Sequence, residues 1–122
     1  MRYSVRLAAN FESNLESLRD FLREVGAPHE FGRLIAYLFD ELIPNLESFP
    51  HLGREYLIRQ PESLEGHARY RRVRKALGSG MELREYIAGD YLVLYAVRRA
   101  EVFLLSIKHH RQLSFDLRTF WK

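Results

Sequence analysis

Residues 82–107 read ELREYIAGDYLVLYAVRRAEVFLLSI, and this stretch decides the fold. Three runs in it, Leu83–Ile87, Tyr91–Val97 and Val102–Ile107, are rich in branched and aromatic residues, the composition of β-strands. Ala88-Gly89-Asp90 joins the first pair, and a tight turn near Arg99-Ala100 joins the second, so the three are expected to form an antiparallel meander. The middle run is apolar at every position from Tyr91 to Val97, the pattern of a central strand covered on both faces.

Upstream the period changes. Residues 2–8 alternate, with Tyr3, Val5 and Leu7 against Arg2, Ser4 and Arg6, and predict one short strand. Phe11, Leu15, Leu18, Leu22 and Val25 then recur in steps of four and three, which makes one stripe along a helix. Asn10 is a candidate N-cap, and Ser13 with Glu16 forms a competing capping box one turn later. Gly26 suits the left-handed residue beyond the helix end, and Pro28 suits the first turn of the next helix. That second helix carries Phe31, Leu34, Ile35, Leu38, Phe39, Leu42 and Ile43, and Pro44 is expected to end or kink it. The two helices predict an antiparallel hairpin that covers one sheet face, leaving the opposite face for a site.

Residues 44–80 hold three of the four prolines and show little periodicity. They read as a long connection, with room for a short helix or strand. Beyond the meander, Leu113, Leu117, Phe120 and Trp121 predict a short helix docking on the sheet. The expected class is α+β: one domain over residues 1–122, with an N-terminal strand and a helical hairpin packed on a small, mostly antiparallel sheet. A long basic connection is expected at about 45–80.

Charge is distributed unevenly. Residues 1–47 carry five basic and eight acidic side chains, whereas residues 48–122 carry fourteen basic and eight acidic ones. An anionic partner for the second half is one reading, and a solvated basic surface is the other. The densest run is Arg69-Tyr70-Arg71-Arg72-Val73-Arg74-Lys75, five cations in seven residues. Cations so placed can neutralise backbone phosphates and release counterions, and arginine forks onto phosphate oxygens. Arg69, Arg71, Arg72, Arg74 and Lys75, with Lys108, are therefore the nucleic-acid-binding candidates; contact with an acidic protein segment is the competing role.

There are no cysteines, so a disulfide framework, a thiolate metal site and a cysteine nucleophile are excluded. His51, His67, His109 and His110 lack metal-binding spacing such as H-E-x-x-H, and no metal or cofactor is expected. No apolar run reaches the roughly 20 residues that span a bilayer, and the alternating N-terminus is unlike a signal peptide, so no membrane association and a cytoplasmic location are expected.

Four local motifs, in order, carry a resemblance. Pro50-His51-Leu52-Gly53-Arg54 resembles a "P-x-x-G-R" element, and Leu83-Arg84-Glu85-Tyr86 an "L-R-x-L/Y" strand opening. Gly89 to Val97 resembles a "Y-R-I-L-Y-R-V" hairpin, and Leu104 to Arg111 an "I-L-x-V-x-H-x-R" strand end. In this order, after a strand and two helices, they resemble the RelE/ParE toxins of type II toxin–antitoxin systems. The resemblance implies a growth-arresting protein held in check by a cognate antitoxin in a hetero-oligomer, with the surface around Phe120 and Trp121 a docking candidate. Its target is either ribosome-bound mRNA, which is cleaved, or DNA gyrase, which is inhibited by binding. For cleavage, His109 and Arg111 match the family's histidine and following arginine, and Arg84 on the neighbouring strand can supply a cation for the phosphorane; these three are the catalytic candidates. The structural reading of the same strand end is hydrogen bonding to loop carbonyls or to antitoxin. Leu92 stands where RNA-cutting relatives carry an arginine, which leans toward gyrase inhibition, while the Arg69–Lys75 run leans back toward nucleic acid. A non-toxic RNA- or DNA-binding module is the alternative.

Overall fold

In the computed structural model the described residues are 2–55 and 81–109. The run Arg69–Lys75, His67, His110, Arg111 and the tail 112–122 lie outside them. The chain runs β1 (Ser4–Leu7), α1 (Ala9–Glu24), α2 (His29–Tyr37), a π-helical turn (Leu38–Leu42), α3 (Ile43–Ser48), β2 (Arg54–Glu55), β3 (Glu82–Ala88), β4 (Tyr91–Arg98) and β5 (Glu101–His109). The α+β class expected from the sequence is what forms.

The sheet has the order β1-β5-β4-β3-β2, with β1 parallel to β5 and every other pair antiparallel. Gly89-Asp90 and Arg99-Ala100 close the two hairpins, each with a positive φ at its first central residue, 59° at Gly89 and 56° at Arg99. Positive φ there matches the turn to the strands' twist.

Helix α1 starts one residue before the expected cap, with Ala8 at the N-cap position and no side-chain cap bond. Asn10 is drawn elsewhere, to the sheet. The helix ends as predicted at Gly26, whose φ is +77°. Ala27 N–H bonds to Leu22 O and Gly26 N–H to Arg23 O, the paired bonds of a Schellman motif.

Before Pro44 a wider turn interrupts the second helix rather than ending it. It does not stop there but continues to Ser48. Ile43 N–H reaches back five residues to Leu38 O, and this wider turn eases the ring of Pro44 past the preceding carbonyls. The turn also resets the buried face. Steps of four residues drift by about 40° each in an α-helix, yet Leu34, Leu38, Leu42 and Leu46 are all buried. Phe39, expected in the stripe, is instead 49% exposed.

These leucines, with Phe11 and Leu18 of α1, pack on Val93, Tyr95 and Val97 of β4 and on Val102, Leu104 and Ile107 of β5. A smaller cluster on the opposite sheet face joins Met81, Leu83 and Ala96 with Phe103 and Leu105, and the described helices contribute nothing to it.

Candidate functional site

Strand β5 makes one irregular step. Ser106 lies opposite Leu94 but Leu104 lies opposite Tyr95, so Leu105 is the extra residue of a β-bulge. The extra residue changes which side chains face the helices: Val102 and Leu104 before it, Ile107 and His109 after it. His109 therefore does not open into a cleft at the strand end. It is 4% exposed, with its ring 5.5 Å from Phe21 of α1 and 5.1 Å, edge-on, from Tyr91. Burial raises the Tyr91 hydroxyl above the usual tyrosine value, and the nearby Glu30 and Asp90 carboxylates push the same way. Lys108 and Leu92 are register partners on the other face of the sheet.

Arg84 is on the helix-side face too, opposite Tyr95, but at the other end of the sheet. Its rung is four residues along β4 from that of His109 and two strands away. That is about 13 Å along the strands and about 10 Å across them. Both terminal nitrogens of its guanidinium are occupied there, while Nε is buried without a partner among the described residues. Nη1 donates to Gly53 O and, at 3.3 Å, to His51 O, while Nη2 meets Glu82 Oε1 at 2.7 Å. The same Glu82 holds His51 Nε2 at 3.2 Å through its other oxygen. The structure thus keeps Arg84 and His109 apart and gives the arginine a role in fastening a loop.

That loop is Pro50–Arg54, and its conformation is explained by Tyr95. The fully buried Tyr95 hydroxyl accepts from Gly53 N–H at 2.8 Å and donates to Pro50 O at 2.9 Å. Burial raises its pKa, with the Gly53 bond opposing, so it remains a donor. Gly53 is required by contact: a Cβ there would sit 2.5 Å from Glu85 O and 2.9 Å from the Tyr95 ring. Arg54 closes the arrangement with an ion pair to Glu85 at 2.6 Å.

Burial, followed by the influence of the Tyr86 hydroxyl, pushes the Tyr37 hydroxyl well above its ordinary value. Among the described residues no group of three or more histidine or acidic side chains is placed to hold a metal. No described helix is long and apolar enough to cross a membrane. The sequence reading missed Asn10 and Asn14 as sheet-binding residues. The available signal was an amide, Asn14, three residues after Phe11 and four before Leu18 in an otherwise apolar stripe.

A family model described as the ParE toxin of type II toxin–antitoxin systems matches residues 5–114. The chain belongs to the ParE toxin family. Its fold is similar to a chain of the crystal structure of the toxin–antitoxin complex RelBE2 from Mycobacterium tuberculosis, at 17% identity and a TM-score of 0.50, covering 89% of this chain and 99% of that one. No curated protein matches it. In this ParE-family chain, the "P-x-x-G-R" element and the strand-opening arginine are one structural unit: Gly53 makes room for Tyr95, and Arg84 binds the carbonyls on either side of Leu52.

Proposed function

We propose that this ParE-family chain arrests bacterial growth by binding DNA gyrase, as a non-enzymatic poison neutralised by a cognate antitoxin. The observation that carries the choice of mechanism is His109, which lies against Phe21 and Tyr91 on the helix side of the sheet, far from Arg84. Transfer of a 2′-hydroxyl proton needs a base within hydrogen-bond reach of the ribose, about 3 Å, and a cation on the same phosphate. A 4% exposed imidazole and an arginine already spent on two loop carbonyls supply neither. Leu92 at the central-strand position supports the same reading. The antitoxin partner is supported by family membership and by a structural relative that is itself a toxin–antitoxin complex.

The competing mechanism is cleavage of ribosome-bound mRNA with Arg84, His109 and Arg111 as catalytic residues. It is favoured by the cations of Arg69, Arg71, Arg72, Arg74, Lys75 and Lys108. Inducing the chain without an antitoxin, and following DNA supercoiling, mRNA 5′ ends and translation together, separates the two. Relaxed or broken DNA with mRNA ends unchanged is the expected result. New mRNA ends that precede any DNA change would overturn the gyrase reading in favour of cleavage. Normal growth would leave only the non-toxic nucleic-acid-binding module.

A further inference from the structure

Strand β1 ends at Leu7, opposite Leu104, so among the described residues β5 beyond that point has no strand beside it on the β1 side. The backbone groups of β5 that face this way still need partners, because a buried donor left unpaired is costly. Helix α1 provides them from two side chains one turn apart. Asn10 Nδ2 donates to Leu105 O at 2.9 Å, and Asn14 Oδ1 accepts from Ile107 N–H at 3.0 Å. Ala8 N–H donates to Leu104 O at 2.9 Å, so three successive donor or acceptor positions on this edge are filled in order. Asn14 is 8% exposed and lies among the apolar residues of α1, a place where an amide is tolerated only when bonded.

We propose that Asn10 and Asn14 are positioning residues: they act as a surrogate strand that holds the bulged end of β5 and thereby fixes the outward face on which Lys108 stands. The two bonds bracket the bulge, one at the extra residue Leu105 and one two residues later. A bulge is where a ladder is weakest, since one residue is left unpaired. Here the parity change made at Leu105 puts Ile107 and His109 inward and Lys108 outward. The inference extends the toxin reading by naming residues that present its basic strand end, and the test reads geometry and toxicity separately.

The test uses the full chain, with Asn14→Leu to remove the acceptor while keeping the number of side-chain heavy atoms. Asn10→Ala is the second variant, at an exposed residue whose loss does not empty the core. Amide hydrogen exchange is measured at Ile107 and compared with Val102 and Leu104, which lie beside β1. Because the protein has no cysteine, the register pair Leu92→Cys with Lys108→Cys reports the strand end by its rate of disulfide formation. The expected result is exchange at Ile107 at least about tenfold faster while Val102 and Leu104 keep their protection, with slower crosslinking, because a local opening is released before the global one. Growth arrest should fall in the same variants at unchanged protein level. Equal acceleration along all of β5, or none, would overturn the clamp. Local loosening with full growth arrest would overturn its positioning role. If Asn14→Leu does not fold, Asn10→Ala alone decides between the same outcomes. A wild-type chain that fails to arrest growth refutes the toxin reading alone, and exchange still judges the clamp.

Discussion

Replacing Tyr95 by Phe removes one oxygen and tests whether the Pro50–Arg54 loop is fastened as described. The hydroxyl is buried, accepts from Gly53 N–H at 2.8 Å and donates to Pro50 O at 2.9 Å. Phenylalanine fits the same space, so no cavity term enters. What remains is one buried donor and one buried acceptor with no partner, and Gly53 and Pro50 are themselves buried. Each such group costs about 1–3 kcal/mol, so the pair costs about 2–5 kcal/mol after partial relaxation. Against a stability of about 5–15 kcal/mol for a domain of this kind, that is a large fraction. With a urea m-value of about 1.5 kcal/mol/M, the midpoint should fall by about 1.3–3.3 M at unchanged m. Urea titration followed by far-UV circular dichroism measures both quantities. A midpoint shift under about 0.5 M, with m unchanged, would refute the assignment of the hydroxyl as the fastening of this loop.

Gly53→Ala should cost at least as much, because the new Cβ meets the Glu85 carbonyl rather than a movable side-chain tip; the same titration checks it. Arg99→Gly should raise stability by about 1 kcal/mol, since Arg99 holds a φ of 56° that an L side chain adopts only at a cost; an unchanged melting temperature would contradict this. Alkaline pH should destabilise the fold. Tyr37, Tyr91 and Tyr95 all have raised values in the folded state, so their contribution is complete below the ordinary tyrosine value of about 10 and is lost as pH rises through the folded values. Stability measured between pH 9 and pH 12 should be flat at first and then decline, and Tyr95→Phe should make the decline shallower.

The meander and the helical hairpin were legible because period and turn chemistry agree in the sequence. Gly26 and Gly89 sit where a positive φ is needed, and the runs on both sides of Gly89 are rich in the branched and aromatic residues that favour strands. Two features escaped for physical reasons. Pro44 is a helix breaker by its chemistry, and only the five-residue bond at Ile43 shows how this helix passes it. The bulge at Leu105 has no sequence mark, since Leu104, Leu105 and Ile107 are all apolar and either parity fits them. Reading His109 as a strand-end base followed from the resemblance, and the extra residue at Leu105 turns its side chain to the helix side. The resemblance found Arg84 and Gly53 but not what they touch, because their partners, Tyr95 and the carbonyls of His51 and Gly53, are brought together only by the fold.

The parallel pairing of β1 with β5 sets when this protein can exist. Ser4 lies beside Glu101 and Leu7 beside Leu104, so among the described residues the first strand has no strand to pair with until the last of the described strands has been made. Helix α1 packs chiefly on that same strand, and its two asparagines bond to it. Contacts of such long sequence separation slow folding, because the closure entropy comes before the reward. On the ribosome, the N-terminal strand and helix have little to fold against while translation proceeds. The sheet therefore closes only once β5 has been made, and a chain interrupted before β5 lacks the strand that both would pack on.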